Sequence, residues 1–146
     1  MHALKRYFAT FCMAITALTL SGCIATRSGQ LSISPEAALK AVYYVEQSPK
    51  DGRNLSATIA SRMEARGLKA SAGPAGPSDA TYVVNYVDHW AWDMRMYLLD
   101  MRIELRDAKD RSIVGFGDSH QSSLAAMGKS YADVIDTALD ELFKKK

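Results

Sequence analysis

The stretch ATYVVNYVDHWAWDMRMYLLDMRIELRD, residues 80–107, decides the fold. Its second half alternates cleanly. Tyr97, Leu99, Met101, Ile103 and Leu105 form one row, and Asp100, Arg102, Glu104 and Arg106 form the other. A period of two is that of a half-buried strand. Residues 80–92 are β-branched and aromatic, and the two halves meet at a tight turn near Asp93-Met94. A hairpin pairing Trp92 with Arg95 also pairs Trp90 with Tyr97, Tyr86 with Met101, Val84 with Ile103 and Tyr82 with Leu105. That register places both apolar rows on one face, so it is the one expected.

Downstream, DAKDR is a turn and SIVGFGDSHQ a further strand. Gly115 and Gly117 lie inside that strand, away from any strand-to-helix turn, so they are no phosphate loop. They admit a close-packed helix or mark a bulge. Tyr131, Val134, Ile135, Ala138, Leu139 and Leu142 mark one face of a final helix, which Ser130 and Asp133 can cap. Upstream, Ser34-Pro35-Glu36 starts a short helix, residues 40–47 read as a strand and Pro49–Gly52 as a turn. Leu55, Ile59 and Met63 give the four-residue spacing of a helix closed by Gly67. LKASA is a weak strand, and GPAGPSD is a loop. The pattern predicts an α+β domain, a mostly antiparallel sheet with two helices packed on one face in a two-layer sandwich.

The N-terminus is of another kind. His2, Lys5 and Arg6 precede an uncharged apolar run, Tyr7 to Leu20, too short for the ~20 apolar residues of a membrane span. This is the layout of a secretory signal peptide. Leu20-Ser21-Gly22-Cys23 resembles the bacterial lipobox, in which the Gly-Cys bond is cut and the cysteine carries a diacylglycerol and an N-acyl chain. The resemblance implies cleavage between Gly22 and Cys23, lipidation at Cys23 and, because Ile24 rather than Asp follows, the periplasmic face of the outer membrane. The expected organisation is a signal peptide over 1–22, a lipidated cysteine and tether over 23–34, and a single domain over 35–146.

These assignments exclude much. Cys12 leaves with the leader and Cys23 is taken by lipid, so no thiol remains for a disulfide, a metal or catalysis. The whole chain carries a formal charge of +2, but Lys5 and Arg6 belong to the leader, and the remainder is near neutral. No basic stripe interleaved with aromatics is present, so nucleic acid is not an expected partner. His89 and His120 stand far apart, and no HExxH, CxxC or GxSxG motif occurs. The side chains of Ser119 and His120 point to opposite faces of a strand, so they form no Ser–His pair. No cofactor, metal or catalytic residue is expected.

DHWAWDMRMYL is the densest cluster of chemistry. Asp88, Trp90 and Trp92 fall on the core row. Both indoles can anchor the hairpin against a helix, or they can floor a ligand site, each with one N–H donor. If Val114 and Phe116 face inward, Asp118 and His120 join that row, about 10 Å from Asp88 across Leu99. Asp88, Trp90, Asp118 and His120, with Trp92 and Tyr97 beside them, then line a polar pocket at the sheet end. The alternative is a row that leaves its helix cover and meets water. An exposed apolar patch on the outer row would favour a protein partner, and a closed pocket at Trp90 a ligand.

Trp90-x-Trp92-Asp93 with Tyr97-Leu98 downstream, then DAKD, a glycine-containing strand and a final helix, resembles a group of small bacterial outer-membrane lipoproteins of unassigned function. The likeness runs from about Lys40 to Phe143. It implies location and fold and brings no catalytic residue. The expected function is a non-enzymatic lipoprotein anchored by its lipid, an accessory of envelope assembly or transport that contacts a protein partner. The alternative is a module binding a small ligand or glycan at the Trp90, Asp88 and His120 end, and an enzyme, a hydrolase of unknown class, ranks third.

Overall fold

Ser34 begins the first helix as its sequence requires. Its side chain accepts the Ala37 N–H at 3.2 Å, and Pro35 opens the turn. The computed structural model describes residues 25–29, 31–122 and 128–144. In chain order these form β1 (Ala25–Ser28), α1 (Pro35–Lys40), β2 (Val42–Glu46), α2 (Leu55–Glu64), β3 (Lys69–Gly73), β4 (Tyr82–Asp93), β5 (Arg95–Asp107), β6 (Ile113–His120) and α3 (Tyr131–Leu142). The sheet has six strands in the order β1-β6-β5-β4-β2-β3. Pairing is antiparallel from β1 to β4, while β2 runs parallel to both neighbours. Parallel pairing of β2 with β3 needs a crossover connection, which α2 supplies. Helices α2 and α3 lie on one face, so the α+β two-layer architecture read from the sequence holds.

The hairpin register needs correction. The expected pairing assumed two residues in the turn and no irregularity. Asp93 instead pairs with Arg95, leaving Met94 alone at the tip, and Leu99 bulges where the register shifts between His89 and Trp90. The tip and the bulge each displace the ladder by one. Tyr86 therefore meets Ile103 rather than Met101, and Val84 meets Leu105. A displacement of two keeps every side chain on its face. Met101, Ile103 and Leu105 are accordingly buried as expected, while beyond the bulge Leu98 takes the core place assigned to Leu99.

Residues 25–28 depart from the expected tether. They add β1 to the sheet, Ala25 opposite His120 and Ser28 opposite Gly117. Leu31 and Ile33 pack against the core beyond it. β6 would otherwise expose a row of unpaired backbone groups at the sheet edge.

Helix α3 carries the capping box anticipated at Ser130 and Asp133. It lies directly over β6. A Cβ on Gly117 would sit 2.1 Å from the Ala138 carbonyl oxygen, so this glycine is what lets the helix approach. The C-terminal end of α2 is tied to α3 by Arg66, which donates to Asp136 at 2.9 Å and to Asp140 at 2.7 Å.

The start of α2 is capped from a distance. Asn54 is left-handed and makes no side-chain cap. Asp51 accepts instead from the N–H groups of Leu55 and Ser56 and from the Ser56 hydroxyl. Burial pushes the Asp51 carboxyl up, and those hydrogen bonds outweigh it and hold it below its ordinary 3.8. Its contribution is therefore complete above about pH 5 and is lost as pH falls from the unfolded value through the lower folded one. Asp51→Ala is expected to cost about 1 kcal/mol at neutral pH. Urea midpoints measured from pH 7 to pH 3 should fall less steeply for the variant, which lacks the Asp51 contribution, and should still fall because Glu46, Glu104 and Asp133 keep their own lowered values.

Candidate functional site

The face of the sheet turned away from the helices carries a ladder of charge. Strand alternation sends Asp100, Arg102, Glu104 and Arg106 outward from β5 and Phe116, Asp118 and His120 outward from β6. Glu104 accepts from Arg102 at 2.8 Å and from Arg106 at 2.7 Å. Arg102 reaches Asp118 at 3.0 Å, and its guanidinium lies 4.0 Å over the Phe116 ring. Asn85 donates to Glu46 at 2.8 Å, and Arg111 meets the same carboxylate at 3.2 Å. Burial pushes the Glu104 carboxyl up, but the two arginines more than offset it and hold it below the usual carboxylate range. The Arg102 guanidinium is raised in turn, first by its bond to Glu104. These are fixed charges, paired with one another.

Nearer the hairpin tip, His89, Asp100 and His120 form one row across three strands. His120 Nδ1 pairs with one Asp100 oxygen, and His89 Nδ1 lies 3.5 Å from the other. A shallow depression of about 590 Å³ opens here between Val87, Arg102, Asp118 and the two histidines. Among the described residues no group of three His, Cys, Asp or Glu side chains is arranged to hold a metal ion.

This arrangement divides the expected pocket between the two faces. Asp118 and His120 do not join the core row. Gly115, Gly117 and Ser119 face the helices instead, because α3 covers β6 closely and only small side chains fit under it. Ser119, whose hydroxyl donates to the Val134 carbonyl at 2.8 Å, does point away from His120. Asp88 stays on the helix side, so the pocket joining it to His120 does not form. Its carboxylate accepts the Trp90 indole N–H at 2.7 Å. The Arg53 guanidinium lies 4.1 Å over the Trp90 ring, and the Tyr131 ring centre is 6.3 Å away. Trp90 is thus the anchored hairpin end of the first reading. Trp92 is not, since the row has left its helix cover and the indole is 69% exposed. Tyr97 lies opposite Ala91 and is buried.

Sequence reasoning named Asp118 and His120 but missed their true neighbours, His89, Asp100 and Arg102. The alternation of β5 carried the missing signal. A β6 row facing Asp100 and Arg102 is as charged as theirs, whereas the opposite row, Gly115-Gly117-Ser119, is the small one a helix needs. Gly22 and Cys23, the proposed cleavage and lipidation positions, lie outside the described residues.

No protein-family description matches the chain, and no curated protein matches it. Its fold is that of PelC from Paraburkholderia phytofirmans, a dodecamer. The TM-score is 0.60 at 16% identity over 84% of this chain and all of that one. A second crystal form of PelC, carrying one substitution, gives 0.58 over 85% of this chain. A minor lipoprotein of Acinetobacter baumannii is less similar, at TM-score 0.37 and 16% identity over 73% of this chain. No helix among the described residues is long and apolar enough to cross a membrane.

Proposed function

We propose that the chain is a lipid-anchored lipoprotein on the periplasmic face of the outer membrane, an accessory of envelope assembly or transport that works by non-covalent contact with protein partners and catalyses no reaction. The observation that carries this reading is the charged face of the sheet opposite α2 and α3. A general acid or base needs a pKa near the working pH. Glu104 is displaced the other way, and Arg102 and Arg106 hold it ionised. A row of fixed, mutually oriented charges suits recognition, where complementary potentials set partner choice and orientation. The PelC fold neighbours are dodecamers, which supports further copies of this chain among the partners.

The ligand-binding alternative at Trp90 finds less support. One indole face is taken by Arg53 and the N–H by Asp88. The outer row lacks the exposed apolar patch that is the expected sign of a protein partner, so the protein-contact reading rests on charge rather than on hydrophobic contact. It is ionic, with Val87 and Ile113 its exposed large apolar members among the described residues.

Two measurements test the proposal. A photo-crosslinking residue at Val87, which is 65% exposed, should yield protein adducts in intact envelopes. The same residue at Glu64, exposed on the helix layer, should not. Equal labelling at both positions, or none at Val87, would overturn the docking face. Cys23→Ser should abolish palmitate incorporation and remove the protein from the outer-membrane fraction. Retained lipid in that variant would overturn the anchor.

A further inference from the structure

We propose that the tip of the β4–β5 hairpin is a second membrane contact, which sinks Trp92, Met94 and Met96 into the interfacial layer of the bilayer that holds Cys23. The inference rests on the lipid-anchor reading and adds to it a surface of the folded domain. The three side chains are 69%, 91% and 44% exposed, and they lie within five consecutive residues at one end of the molecule. Exposed apolar groups gathered in this way mark an interaction site. Asp93 and Arg95 between them pair across the strands. The tip thus offers an indole, two thioethers and one pair of opposite charges, a composition suited to the headgroup boundary, where Trp is enriched.

The backbone adds an independent sign. Met94 has φ +61°, in the left-handed region. Gly, Asn or Asp takes that conformation readily, and an unbranched apolar side chain does so at a cost. A residue that suits neither the turn nor water is placed for something outside the fold.

The position of β1 identifies that something. Ala25 pairs with His120, which pairs with Asp100, so Ala25 stands level with Asp100. β1 runs in the same direction as β5, so Ala25 is at the end of β1 nearer the hairpin tip. Cys23 is two residues earlier, at most about 7 Å away. From the level of Asp100 to that of Arg95 the hairpin extends about 14 Å, the four steps from His89 to Asp93 on the unbulged strand. The tip therefore projects about 7 Å past the farthest point Cys23 can reach along the sheet. A bilayer holding acyl chains at Cys23 meets the tip first.

The test uses the lipidated full-length protein in vesicles of phosphatidylethanolamine and phosphatidylglycerol doped with lipid brominated near the headgroup. Trp92 emission is taken as the difference between the wild-type protein and Trp92→Phe, which retains Trp90. It should shift to the blue and be quenched by the brominated lipid. Met94→Asn relieves the backbone and removes the apolar side chain. It should keep or raise the unfolding midpoint while Trp92 quenching falls. A merely structural role for Met94 would leave quenching unchanged. Protein that floats with the vesicles while Trp92 emits as in water, unquenched, would overturn the tip contact and leave the anchor standing. Protein that carries no lipid and stays off the vesicles would overturn both.

Discussion

Leu139→Asp should leave no folded domain. Leu139 is fully buried on α3, at 0% exposure, in the same cluster as Ile103, Leu105 and Ile135. The substitution removes an apolar side chain from a packed interior and puts a carboxylate there with no partner, a cost of several kcal/mol. Against a total stability of about 5–15 kcal/mol for a domain of this size, that is enough to unfold it. Far-ultraviolet circular dichroism and urea titration of the purified variant check the expectation. A cooperative transition within about 1 kcal/mol of wild type would mean that α3 does not cover the sheet. The control is Arg102→Gln on the opposite face, where the ion pairs lost are half-exposed and worth about 1 kcal/mol or less each.

Gly117→Val is the second change of large effect, and it acts by addition. The first carbon of any side chain there would lie 2.1 Å from the Ala138 carbonyl oxygen and 2.6 Å from the Leu142 nitrogen. Both are helix backbone atoms, so no rotamer change relieves the clash, and α3 must move off the sheet. Overpacking of this kind typically costs about 1–3 kcal/mol, and a β-branched residue against rigid backbone belongs at the upper end or beyond. Thermal unfolding should show a large drop in midpoint. Gly52→Ala, with nothing within 4 Å of the added carbon, should leave it within a degree or two of wild type or slightly above. Equal midpoints for the two variants would show that the helix is not seated on β6.

The elements were legible because their periods were. The alternation of β5, the helical spacing of α3 and the capping pair Ser130 and Asp133 each specify local structure with little help from the rest of the chain. What misled the reading was additive geometry. A one-residue tip at Met94 and a bulge at Leu99 leave no composition signal, yet together they move every pair in the hairpin by up to two positions. β1 was illegible for a different reason. ATRS has no apolar alternation, and it becomes a strand because β6 offers it a free edge. The site followed the same division. The charged row of β5 could be read directly, but which row of β6 joined it depended on α3 needing glycines beneath it, a tertiary demand rather than a local one.

Under the proposed anchor at Cys23, the edge position of β1 would also have a mechanical meaning. β1 and β6 are antiparallel, and their ladder continues past the strand through Gly29 N–H to the Phe116 carbonyl and Ser32 N–H to the Val114 carbonyl. A pull directed along the axis of β1 would reach the domain through this ladder. It loads these hydrogen bonds together, in shear, rather than peeling them open one after another. If the N-terminus carries the proposed anchor, the domain would be fastened to it in the orientation that a short strand resists best.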